Sequence, residues 1–116
     1  MLAHRVMMGG RRAYADEVIA DSPVAYWKLD ETSGTTANDA IGSNNGTYAG
    51  ATLNQPPLIN ARRSVSFSGS SSGITIADND ALSFVSTAFT LECWVQTSAS
   101  GAVQSFMAKD TSSTPK

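Results

Sequence analysis

The chain has one cysteine, Cys93, and one histidine, His4, in 116 residues. A single thiol excludes internal disulfides and cysteine-built metal sites. A single histidine, placed among the first residues, leaves no base for a serine or cysteine nucleophile elsewhere, so the sequence assembles no catalytic triad. Charge is also scarce. Only 16% of residues are Asp, Glu, Lys or Arg, and the formal net charge is −2, which excludes a surface built to coat nucleic acid. No apolar run reaches the roughly 20 residues of a membrane-crossing helix. No glycine-rich loop leads into a helix as a phosphate cradle does.

Serine and threonine are abundant, 27 together, among short apolar–polar alternations punctuated by Gly, Asn, Asp and Pro. The length fits one domain with one modest core. An apolar fraction of 41% argues for a folded chain over a disordered one. The composition leans towards an extracellular or virion-type β protein.

Residues 1–13 (MLAHRVMMGGRRA) carry Arg5, Arg11 and Arg12 and no acid. They read either as a basic arm docking onto a neighbouring subunit or as a frayed terminus. Their apolar centre is too short, and too broken by His4 and Arg5, for a secretory signal. Residues 14–21 (YADEVIAD) predict a short helix with Tyr14 and Val18 on one face. Asp16 and Glu17 suit its first turn, and Pro23 bars extension.

Six strands are expected after it. The first is 24–29 (VAYWKL), with Trp27 in the core. The second is 47–53 (TYAGATL), entered through a tight turn at Asn45-Gly46. Segments 64–69 and 73–78 form a hairpin, with Val65/Phe67 and Ile74/Ile76 pointing one way. The clearest strand is 89–97 (FTLECWVQT), with Phe89, Leu91, Cys93 and Val95 as its apolar face and Thr90, Glu92, Trp94 and Gln96 opposite. Segment 102–109 is weaker, and 111–116 is a polar tail. Six short strands with little helix predict an all-β sandwich or jelly roll across 23–110.

Three blocks carry a family likeness: 21–50 (DSPVAYWKLDETSGTTANDAIGSNNGTYAG), 64–78 (SVSFSGSSSGITIAD) and 88–97 (AFTLECWVQT). In order and spacing they resemble the laminin G-like, concanavalin A-like jelly-roll domains of bacterial and phage proteins. The resemblance implies a jelly-roll β-sandwich, of which this chain matches the N-terminal part. The opening YADEVIADSPVAYW resembles the start of such modules in phage structural and tail proteins. Two features depart from the pattern. The family modules are longer, so an incomplete sandwich is expected, finished by a partner chain or by the rest of a longer product. The family's acidic turn is FSGSSSG here (67–73), with serine where acids would stand.

Three chemistries follow as candidates. Calcium, which many relatives bind, wants six to eight oxygens with converging carboxylates. Asp30, Asp39 and Asn44 are the leading ligands, with Glu31 and Asn45 in the same polar loop and Asp78 or Asp80 as further candidates; Asp30, Asp39 and the Asn pair also shape turns. No other cofactor is implied. A carbohydrate platform would use Trp94 as the stacking ring, Glu92 and Gln96 as hydroxyl partners, and Tyr48 or Tyr26 as extensions. Alternatively, Trp94 packs under a loop. Glycoside hydrolysis needs two carboxylates, and Glu92 has no second acid on its strand face, so an enzyme is not expected. Cys93 reads as a small core residue. Arg62 and Arg63 read as solvated surface or as a subunit contact. Asn45-Gly46-Thr47 matches a glycosylation acceptor but also fills the expected turn.

The expected function is a non-enzymatic structural or adhesion module on a phage virion, at a tail or capsid surface, with a cell-surface glycan as its candidate ligand. Its partners would be other virion subunits or a second copy of itself, with no nucleic acid and no membrane span. The alternative is a carbohydrate-binding module from a secreted, extracellular bacterial protein.

Overall fold

The computed structural model describes residues 13–58, 63–85, 88–98, 100–101 and 104–109. The arm with Arg5, Arg11 and Arg12, the residue Arg62 and the tail at 111–116 lie outside the described residues, as do residues 102 and 103 of the last expected strand. The fold is β-rich with little helix. It comprises helix α1 (Tyr14–Ala20), strands β1 (Thr36–Ala37), β2 (Gly46–Ala49), β3 (Ala51–Gln55), β4 (Ser64–Phe67) and β5 (Gly73–Ile76), and a single 3-10 turn at Asp80–Leu82. No helix among the described residues is long and apolar enough to cross a membrane.

The strands form two small antiparallel sheets, ordered β1-β2-β5 and β3-β4. The first holds the core. Gly46 pairs with Ile76 and Tyr48 with Ile74, so the apolar positions of both strands share one face, as alternation requires. Ala37 (0% exposed) and Tyr48 (7%) are its buried side chains. Gly46 fits there because it has no side chain: a methyl at this position would overlap Ile74 Cγ2 and press on Ile76.

Several sequence expectations need correction. The helix spans Tyr14–Ala20, as its pattern predicts, and Ser22 leaves it in the left-handed region (φ 55°). The strand expected over 47–53 is two strands. Gly50, at φ 58°, turns the chain out of the first sheet and into the second, a conformation glycine adopts without strain. Asn45-Gly46 is not a tight turn. Gly46 opens β2 opposite Ala37, and residues 38–45 make the reversal.

Segments 64–69 and 73–78 are not a hairpin. β4 pairs with β3 and β5 with β2, so the serine-rich link at 68–72 crosses between sheets. Segment 24–29 is not a strand but a single bridge, Trp27 to Asp39. The Tyr26 amide donates to the Asp39 side chain and its carbonyl accepts from the Ala40 amide. Leu29 then leaves the extended region at φ 56°. Trp27 is half-buried rather than in the core. Residues 88–98 carry no ladder pairing, and neither do 104–109. The most regular alternation in the sequence is therefore not a strand here, and Cys93 is exposed rather than a core residue.

Candidate functional site

Two clusters collect the polar and aromatic side chains. One is a hydrogen-bonded knot around Asp39. Its Oδ1 accepts from the amides of Tyr26 (3.0 Å) and Ile41 (3.0 Å), and its Oδ2 from the amide (3.1 Å) and side-chain Nδ2 (3.0 Å) of Asn44. The Asp39 amide donates in turn to Asn45 Oδ1. Asn44 extends the knot, its carbonyl accepting from Trp27 Nε1 at 2.7 Å and its Oδ1 from Asn79 Nδ2 at 2.6 Å. Alongside, Glu31 accepts from the amide and side chain of Asn38 through Oε1, and from the Tyr48 hydroxyl through Oε2 at 2.7 Å.

These contacts set the ionisation of the acids. Burial alone would raise the Asp39 carboxyl, but the N–H donors stabilise its charged form more, so it is lowered to about 2. Glu31 is lowered in the same way: desolvation is outweighed by Asn38 and the Tyr48 hydroxyl. Tyr48 is raised by burial and by its bond to Glu31.

This arrangement decides the calcium candidates. Asp39 and Asn44 do come together, but the carboxylate is ringed by N–H groups, whose positive ends repel a cation. Asp30 enters only as a charge acting on Tyr26 and Tyr48. Among the described residues no group of three His, Cys, Asp or Glu side chains could hold a metal. The donor set does not fit calcium; it fits a loop clamp, the turn-shaping alternative.

The second cluster lies between α1 and the extended segment 88–98. Trp94 is 63% exposed and meets the edge of the Tyr14 ring at 6.2 Å and 77°. Around them opens a cleft of about 550 Å³ lined by Tyr14, Leu91, Glu92, Cys93 and Trp94. A neighbouring hollow of about 260 Å³ brings Asp21, Tyr26 and Thr90 beside Tyr14 and Glu92. Three rings, Tyr14, Tyr26 and Trp94, and two carboxylates, Asp21 and Glu92, thus border adjoining open clefts.

Of the residues expected on a carbohydrate platform, Trp94 and Glu92 are brought together and Tyr26 lies beside them. Gln96 lines neither cleft. Tyr48 is buried in the first sheet, bonded to Glu31, and is not part of the platform. Tyr14 and Asp21 were not foreseen there. The available signal was the Tyr14–Val18 face of a helix too short to stand alone, which had to pack on something. The second acid was hidden because it comes from the helix end rather than from the strand of Glu92.

No protein-family model matches the chain, and no curated protein or solved structure shows significant similarity to it.

Proposed function

We propose that the protein is a non-enzymatic adhesion or structural module that contacts glycans through the cleft of Tyr14, Glu92 and Trp94. The observation that carries this reading is the exposure of Trp94 beside a second ring and a carboxylate. A pyranose stacks its C–H face on an exposed aromatic ring while flanking acids accept its hydroxyls. Trp94 supplies the ring, with Glu92 and Asp21 as the acceptors. In this reading the two sheets belong to a laminin G-like jelly-roll sandwich, and the module sits on a phage virion at a tail or capsid surface. A carbohydrate-binding module of a secreted bacterial protein is the second reading, favoured by the same open Trp94.

The test is glycan-array binding of the full chain and of Trp94→Ala. The reading expects binding by the parent, loss of at least tenfold in the variant, and unchanged circular dichroism. Undiminished binding by a folded Trp94→Ala removes Trp94 from the site, and turnover of a bound glycan overturns the non-enzymatic assignment.

A further inference from the structure

The two clefts between α1 and segment 88–98 share Tyr14 and Glu92, which makes them neighbours on one surface. Their charge has one sign. Asp21 and Glu92 supply two carboxylates, and among the described residues no Lys, Arg or His lines either cleft. Neither carboxylate is taken up by a hydrogen bond or ion pair with another described residue. A third acid stands nearby, since the charge of Asp30 reaches the Tyr26 hydroxyl. Three rings complete the surface: Tyr14 and Tyr26 are half-buried, and Trp94 stands open against the edge of Tyr14.

We propose that the glycan taken here is a cationic one, a hexosamine whose amine is free and protonated. The inference rests on the glycan-contacting reading of Trp94 and names the class of sugar that this site accepts. Two properties select that class. The first is the sign of the hydrogen bonding. A carboxylate only accepts, and an ammonium only donates, through three N–H groups. A charge-assisted bond between them is shorter and stronger than one from a neutral hydroxyl. An N-acetylated sugar leaves that capacity unused, and a sugar acid meets like charge at Asp21 and Glu92. The second property is the rings. The face of Trp or Tyr is the negative part of its quadrupole, so a ring that stacks a pyranose also attracts an ammonium within about 6 Å of its centroid. The contrast with Asp39 is direct. There, N–H donors ring the carboxylate and turn a cation away; at Asp21 and Glu92 the oxygens are open. Two carboxylates still fall short of the oxygen shell that calcium requires, which leaves an organic cation as the occupant.

The test titrates the full chain with the glucosamine tetramer and with its N-acetylated counterpart, by calorimetry near pH 6 and at low salt. The free-amine tetramer should bind about tenfold more tightly, a modest factor because exposed charge pairs are individually weak. Raising the salt to about 1 M, where the screening length falls to about 3 Å, should cut that ratio several-fold. Asp21→Asn and Glu92→Gln should each lower the ratio about threefold, and together bring it close to one. Asp80→Asn removes the same formal charge at the 3-10 turn and should leave the ratio unchanged. Equal binding of the two tetramers, or binding of uncharged glycans alone, overturns the inference while leaving glycan contact at Trp94 intact. A preference that persists in the double variant, or falls equally in Asp80→Asn, overturns the assigned carboxylates. No binding of either tetramer or of any arrayed glycan overturns the glycan reading itself, and this inference with it.

Discussion

Two regions of this chain place similar residues under opposite rules. Between Tyr26 and Asn79, few side chains are buried, yet polar groups are tied across long sequence distances, Asn44 to Asn79 and Tyr48 to Glu31 among them. Between residues 88 and 98, the apolar–polar alternation is the most regular in the sequence, yet no ladder forms and the apolar row is half exposed. The difference lies in what each pattern needs. Asp39 finds its donors within five residues on its own loop and at Tyr26, so its carboxylate is satisfied before the longer ties to Asn79 are made. A strand needs a neighbour, and alternation specifies a face without specifying who covers it.

Asp39→Ala should break the ordered region outright. It would strip the acceptor from the amides of Tyr26, Ile41 and Asn44, and stranding such donors costs on the order of 1–3 kcal/mol each when they are buried. These are partly buried, so a total loss of about 3 kcal/mol is expected, read by urea denaturation. A comparable substitution in the open segment, such as Leu91→Ser, should change stability by no more than about 0.5 kcal/mol. Equal effects at the two positions would erase the contrast.

Acid should separate the regions next. The Asp39 carboxyl is at about 2 in the folded chain against an ordinary 3.8, so the folded state favours the charged form. Its contribution is complete above about pH 4 and is lost as pH falls towards 2, where both states are protonated. A lowering of this size corresponds to roughly 2 kcal/mol, which solvent screening reduces to about 1–2 kcal/mol. Glu31 is shifted in the same direction. Melting followed from pH 5 to pH 2 should show this loss in the parent and a flatter profile in Asp39→Asn.

The same contrast explains what could be read in advance. Helix α1 was legible because Pro23 and the first-turn acids act locally. The shared face of Ile74 and Ile76 was legible because period-two alternation survives whichever strand is the partner. The partner itself was not legible: β5 joins β2 across the 23 residues from 50 to 72, and β4 joins β3, since Gly50 hands the chain from one sheet to the other. At the candidate site, Trp94 and Glu92 do line one cleft, but the strand that the alternation implied does not form, and Leu91 and Cys93 line that cleft with them. Tyr14 and Asp21 reach them only through tertiary packing, which no spacing along 88–98 encodes. Tyr48 was misplaced because an exposed tyrosine and a buried one bonded to Glu31 look alike in a β-type alternation.

The smallest expected effect concerns the contact that ties the two regions together. The Tyr14 and Trp94 rings meet edge to face at 6.2 Å, a geometry that aligns the positive rim of one ring with the negative face of the other and adds about 0.5–1.5 kcal/mol where the pair is buried. Trp94 is largely exposed, so water competes and the low end, about 0.5 kcal/mol, is expected. A double-mutant cycle of Tyr14→Ala, Trp94→Ala and the pair isolates this coupling from the loss of each side chain by itself. A coupling near 0.5 kcal/mol shows that α1 holds the open segment in place. A coupling of zero means that the segment is positioned without the helix, and the two rings of the cleft are then independent walls rather than one unit.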